Sequence, residues 1–169
     1  MKQSTVAEYI ALRPISEGDE EFLYEVYAST RAWEMALTGW DQAEQEKFLR
    51  MQFSFQAQAY AQNYHHPDYQ IILWQNSAAG RLYLDRRAQE IRIVDIALLP
   101  EYRDRGIGTY LFEKLQEEGL HQGLAVTIHV ERFNRAKNLY ERLGFRQIRQ
   151  TDEVYQLMEW QPESVEASA

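Results

Sequence analysis

Arg103-Asp104-Arg105-Gly106-Ile107-Gly108 is the stretch on which the fold turns. It lies between an apolar run, Glu90 to Leu99, and a helix-patterned segment, Ile107 to Glu118. A strand, a glycine loop flanked by arginines and a helix start form an anion-binding arrangement. The first backbone N–H groups of a helix lack intrahelical partners, and the helix dipole adds partial positive charge there. Glycine lets a phosphate approach the backbone where a Cβ would stand in the way. Two other phosphate loops do not fit. The dinucleotide pattern G-x-G-x-x-G fails at Leu111, and no Gly-Lys-Ser/Thr follows as a nucleotide-triphosphate loop requires.

Downstream stands Asn134-Arg135-Ala136-Lys137-Asn138-Leu139-Tyr140-Glu141-Arg142-Leu143-Gly144-Phe145. Ala136, Leu139, Tyr140 and Leu143 share one helical face, and Gly144 is placed for a left-handed helix stop. This segment, with Arg103-x-x-Gly106-x-Gly108 and the strand ending Ile96-Ala97-Leu98-Leu99-Pro100-Glu101-Tyr102, resembles the GNAT superfamily of N-acetyltransferases. The likeness is close over roughly residues 90–149 and holds only in outline over residues 8–89. It implies an α/β fold with a mixed, mostly antiparallel, twisted central sheet of about seven strands flanked by about four helices. It also implies acetyl-CoA as co-substrate and transfer of an acyl group to an amino group; His65, His66, His121 and His129 show no metal-ligand spacing with acidic neighbours, so no metal is expected.

The resemblance carries roles to particular residues. It implies pyrophosphate contact along Arg103, Asp104, Arg105, Gly106, Ile107, Gly108 and Thr109. It implies that the pantetheine arm pairs like an extra strand with main-chain groups of Ile96, Ala97 and Leu98. Asn134 is implied to touch the CoA arm, and Tyr140 to protonate the departing thiolate. Each has a plainer reading: Asn134 is a good helix N-cap, and Tyr140 suits a core. Arg103 and Arg105 also read as solvated surface arginines.

The general base is where the likeness weakens. An attacking amine must lose a proton, so a group or water must accept it. Some relatives carry Glu or His in the strand before the loop, where this chain has Arg92 and Val94. Others carry Glu in the following strand. Aligned on Asn134 that position is His129, and aligned on Tyr140 it is Ile128, which would point to the opposite face. His129, Glu90, Asp95 and Glu131 remain as candidates. Asp95 interrupts an apolar run and equally suits a structural ion pair.

The chain has 169 residues, fitting one domain over residues 1–169, with a core at about 8–160 and loose ends at 1–5 and 161–169. There are no cysteines, which excludes disulfides, thiolate metal sites and a cysteine nucleophile. The net charge of −8 argues against nucleic-acid binding and favours basic acceptors. No apolar stretch is long enough to span a bilayer, and residues 1–9 do not read as a secretion signal, so the expected location is the cytoplasm.

Element order follows from pattern. Tyr9 to Arg13 reads as a strand. Ser16 with Asp19, and Asp41 with Glu44, read as capping pairs that open helices, the second running to about Tyr64. Tyr69 to Gln75 and Gly80 to Arg86 form a hairpin turning near Asn76-Ser77. Ile91 to Leu99 is apolar enough for burial on both faces. Leu124 to Val130, Phe145 to Arg149 and Val154 to Trp160 complete the strands. The first two helices are rich in aromatics, among which Tyr27, Trp33, Trp40 and Phe53 are candidates for binding a small amine or peptide acceptor. The long helix is apolar on two faces, so it lines a cavity or forms a homodimer contact. A non-catalytic acyl-CoA-binding domain and a protein N-terminal or lysine acetyltransferase stand as alternatives to a small-amine enzyme.

Overall fold

The computed structural model describes residues 2–131, 134, 136–150 and 154–163. Helix α1 (Lys2–Tyr9) leads into strand β1 (Ile10–Pro14). Helices α2 (Glu20–Ala36) and α3 (Gln42–Asn63) follow, then strands β2 (Pro67–Trp74), β3 (Ser77–Arg86) and β4 (Glu90–Leu98). Helix α4 (Ile107–Gln122), strand β5 (Ala125–Glu131), helix α5 (Lys137–Arg142) and strands β6 (Arg146–Gln150) and β7 (Tyr155–Trp160) complete the order. These strands form one seven-stranded sheet in the order β1-β2-β3-β4-β5-β7-β6. Among the described residues, only β4 and β5 are parallel neighbours. Among the same residues, no helix is long and apolar enough to cross a membrane.

Both capping pairs act as the spacing suggests. Asp41 accepts from the Glu44 N–H at 2.8 Å and starts α3. Asp19 accepts from the Ser16 N–H at 2.8 Å and also takes both terminal nitrogens of Arg13 at 2.8 Å, joining β1 to the start of α2. Helix α5 stops at Gly144, φ 93°, with the Phe145 N–H returning to the Tyr140 carbonyl and the Gly144 N–H to Glu141.

Three expectations are corrected, the third of them in strand β4. The hairpin turns at Gln75-Asn76, one residue earlier than the sequence suggests, because both adopt left-handed angles (φ 50° and 68°), the geometry that fits strand twist. Residues 2–9 form a helix instead of a loose end running into a strand at Tyr9. Val6 lies 3.6 Å from where a Cβ of Gly106 would stand, and Tyr9 packs edge-on to Trp74 at 5.3 Å. The first contact sets α1 against the start of α4 and the second sets it against β2. The loose end expected at 161–169 falls mostly on 164–169, outside the described residues.

One face of the sheet packs on α4 and α5 through Ile91, Ile93, Val126, Ile128, Leu111, Phe112 and Tyr140. The other face meets α2 and α3 through Leu23, Ile71 and Tyr83. Strand β4 is buried over Ile91, Arg92 and Ile93 but only half-buried from Val94 onward. The two-sided burial expected of Ile91 to Leu99 therefore stops midway. There β4 carries a bulge: Leu84 pairs with Ile93 and Tyr83 with Asp95, leaving Val94 as the extra residue. The bulge shifts facing by one, so Ile96 and Leu98 join the α4 side. Asp95 and Ala97 turn to the α2–α3 side.

Arg13 holds the Asp19 carboxyl well below the usual carboxylate range, ahead of smaller help from Ser16. A depressed folded pKa stabilises above the unfolded value of about 3.9 and is lost as pH falls through the folded one. Asp19→Asn is therefore expected to cost about 1–3 kcal/mol near pH 7. The gap from wild type should narrow below about pH 4. Urea unfolding at several pH values measures both.

Candidate active site

Parallel pairing of β4 with β5 runs from Glu90–Ala125 to Ile93–Ile128 and stops. Beyond it β4 continues on β3, with Leu82–Ile96, Arg81–Ala97 and Gly80–Leu98 as partners. Strand β5 continues on β7, with His129–Leu157, Val130–Gln156 and Glu131–Tyr155. The strands thus part after Ile93 and Ile128, and no described strand pairs with the β4 edge from Val94 to Leu98 on that side. Ile96, Ala97 and Leu98 lie on this edge. An extended amide chain fits it, because such an edge offers unpaired N–H and C=O groups.

The glycine loop stands at the end of the same strand. A short turn at Pro100–Tyr102 leads to Asp104 at φ 61° and Gly106 at φ 85°. Helix α4 begins at Ile107, and its first bond runs from the Tyr110 N–H to the Gly106 carbonyl at 3.0 Å. The N–H groups of Ile107, Gly108 and Thr109 therefore precede any helical acceptor. A Cβ at Gly108 would meet nothing within 4 Å, so internal packing does not demand glycine there. Gly106 is needed for its left-handed backbone. Both arginines also brace the loop. Arg103 donates to the Leu98 carbonyl at 3.1 Å and to Ser29 Oγ at 3.4 Å. Arg105 donates to the Glu101 carbonyl at 3.1 Å and lies over the rings of Trp74 and Tyr102. An open helix start with exposed arginines and a free β4 edge fits a pyrophosphate carrying an amide arm.

On the α2–α3 side a cleft of about 690 Å³ lies beside the parting strands. Tyr27 and Trp33 line it, as expected, but Trp40 and Phe53 do not. Trp40 packs edge-on to Phe48 at 5.3 Å, and Phe53 packs between Tyr24 and Tyr27. Helix α3 instead presents Gln56 and Tyr60 to the cleft, while Gln52 accepts from the Tyr27 hydroxyl at 3.1 Å. These three are spaced i, i+4, i+8, a row that a search for apolar faces passes over. The other apolar row of α3 points outward, with Met51 and Phe55 exposed.

Asp95, His129 and Glu131 line the cleft, whereas Glu90 does not. Glu90 sits at the far end of β4 and is tied to Arg87 at 2.8 Å and Arg92 at 3.3 Å. Ile128 is buried in the α4-side core, so the register question resolves toward His129 and Glu131. Arg92, itself buried, donates to Thr127 Oγ1 at 2.7 Å and to His129 Nδ1 at 3.2 Å. A guanidinium can only donate, so Nδ1 accepts, and the neutral ring carries its proton on Nε2. Nε2 is itself shielded from solvent. Asp95 pairs with Arg81 of β3, the structural ion pair that its apolar neighbours suggest. Nothing in the pattern of β3 marked Arg81 as its partner, because the bulge that brings them together is not legible locally.

Tyr140 packs edge-on to Phe112 at 5.1 Å and is 6% exposed. Burial, with a smaller contribution from the Asp95 charge, pushes its hydroxyl up to about 12, so it holds its proton at neutral pH. Asn134 accepts from the Ala136 N–H at 2.8 Å and so helps start α5, while also lining the cleft.

Solved structures share this architecture. The PaiA N-acetyltransferase of Thermoplasma acidophilum, determined in complex with coenzyme A, is similar with a TM-score of 0.67 and 22% identity, over 90% of this chain and 98% of that one. An acetyltransferase from Thermus thermophilus gives 0.65 and 18%, over 90% and 97%. The ribosomal-protein-S18-alanine N-acetyltransferase of Escherichia coli gives 0.62 and 20%, over 92% and 96%. No curated protein matches the sequence. The acetyltransferase (GNAT) family matches residues 28–145, which span the parted strands, the glycine loop and Tyr140. The chain belongs to the GNAT acetyltransferase family.

Proposed function

We propose that this chain is a single-domain N-acyltransferase that moves an acetyl group from acetyl-CoA to a primary amine in one ternary complex. The observation that carries this reading is the parting of β4 from β5 between an open helix start and a polar cleft. It allows one ligand to run from the α4 N-terminus along β4 to the cleft floor at Asp95 and Ala97. In this reading the N–H groups of Ile107, Gly108 and Thr109, with Arg103 and Arg105, hold the pyrophosphate. Main-chain groups of Ile96, Ala97 and Leu98 hold the pantetheine arm, and the acceptor enters from the α2–α3 side.

The amine nitrogen attacks the thioester carbonyl carbon, the C–S bond breaks, and the thiolate takes a proton from Tyr140. The high proton affinity of the buried phenol is matched by the thiolate, since the same dry surroundings disfavour its charge. The amine proton leaves toward the carboxylates of the cleft or water. His129 is a poor acceptor, because protonating Nδ1 would break the Arg92 bond and set two cations together. The S18-alanine enzyme among the similar structures is named for an alanine of a ribosomal protein, which supports peptide amines alongside small ones.

Four outcomes are expected. Acetyl-CoA should raise the melting temperature of the wild type. Gly108→Leu should fold normally, since its Cβ enters open space, yet lose that shift; an intact shift would remove the phosphate-loop assignment. Tyr140→Phe should lower kcat by about 10²-fold or more with little change in acetyl-CoA affinity, and full activity would make Tyr140 a core residue only. The pH–rate profile of His129→Ala should keep whatever limb the wild type shows between about pH 6 and 7, and its disappearance would restore His129 as the base.

A further inference from the structure

We propose that Asp95, held by Arg81, is the ammonium-docking group of the acceptor cleft, and that the cleft selects amines with no carboxylate beside the nitrogen. This rests on the acyltransferase reading and names its acceptor class. The ion pair is unevenly exposed. The Arg81 side chain is 3% exposed and that of Asp95 is 23%. Arg81 is walled in, with Gln56 Oε1 of α3 accepting from it at 3.0 Å and the Tyr83 ring 5.0 Å away. Oδ2 of Asp95, the oxygen paired with Arg81, is buried. The exposed part of the side chain is therefore not Oδ2, and Asp95 lines the cleft beside Ile96 and Ala97, which leaves Oδ1 as the oxygen assigned to the ligand. Arg81 is a positioning residue: it pins one oxygen so that the other presents a fixed anion where the β4–β5 parting begins.

The remaining charges among the described residues disfavour a ligand carboxylate. Among the described residues, two cations of fixed charge line the cleft, Arg31 and Arg81, and both are already paired, Arg31 with Glu34 at 2.9 Å. Glu131 also lines the cleft and has no ion-pair partner among the described residues. Among the described residues the lining thus carries more carboxylates than guanidinium groups, and each guanidinium already has a carboxylate partner. Tyr27, Trp33 and Tyr60 supply aromatic walls for the organic body of a cation. The Asp95 charge also contributes to raising the phenols of Tyr60 and Tyr140, after burial, which agrees with its central place.

The test is titration of the full CoA-saturated chain with 2-phenylethylamine, phenylalaninamide and phenylalanine, which differ at the carbon beside the nitrogen. The first two should bind, as a small amine and as a mimic of a peptide N-terminus, and phenylalanine should bind at least about 100-fold more weakly. Asp95→Asn should weaken the two amines at least about 10-fold and leave CoA affinity unchanged. Should that variant misfold, Arg81→Met with Asp95→Leu serves, because replacing both members of a buried pair by apolar groups is often neutral for stability. It too should keep CoA and lose the amines. Phenylalanine binding as well as its amide, or amine affinity surviving in the double variant, would overturn the proposal. Binding needs no turnover, so amines that bind without being acylated count against the acyltransferase reading and not against this one.

Discussion

Backbone pairing between β4 and β5 ends at Ile93 and Ile128, and the site exists because it does. Two causes act together. The bulge at Val94 adds local twist and bends β4 on its β3 side, while β5 keeps its partner β7 through Glu131. Each strand stays stable on its outer neighbour, so the inner edge of β4 is left open at small cost. An open strand edge is usually a route to aggregation. Here it lies inside the sheet, between the α4 start and the α2–α3 cleft.

The paired half is held as firmly as the open half is not. Arg92 crosses from β4 to Thr127 and His129 of β5, at the last rungs before the strands part. Its charge is buried in a position that would be costly without partners, and Glu90 supplies the counter-charge. Arg81 and Asp95 repeat the device one step further along, joining β3 to the bulged strand. Buried ion pairs contribute little net stability, but removing one partner is expensive. They therefore fix geometry more than they add free energy, and the geometry they fix is the floor of the cleft.

The glycine loop separates two demands that look alike in the sequence. Gly106 serves the chain itself, since its φ of 85° is strained for any residue with a Cβ. Gly108 serves nothing inside the free chain, and its side-chain direction opens on empty space. Helix α1 leans on the same corner through Val6, and Arg105 stacks near Trp74 just behind it. The loop is thus buttressed from behind while its N–H groups stay open in front.

The sequence by itself determined the elements after α1 and their order, the helix starts at Asp41 and Ile107, the stop at Gly144 and the family likeness. These are set by local chemistry: side chains that cap, glycines that take left-handed angles, and periodic apolar residues. It also narrowed the β5 candidates to a choice of facing. What only the tertiary structure decided is which polar groups meet. The bulge reverses side-chain facing along β4, so counting residues from Ile91 misassigns Asp95 and Ala97. Glu90 falls outside the cleft because a strand rises about 3.3 Å per residue, and most of β4 separates it from Asp95. The partners of Asp95 and His129 come from β3 and β4, at sequence separations that no local pattern spans. The packing of Trp40 and Phe53 against neighbouring rings, and the turn of Gln56 and Tyr60 into the cleft, depend on how two helices pack on one sheet face. Packing is settled by long-range contacts, which is why the glycine loop and the strand before it could be located in the chain, while the lining of the cleft was legible only at Tyr27 and Trp33 among the aromatic candidates.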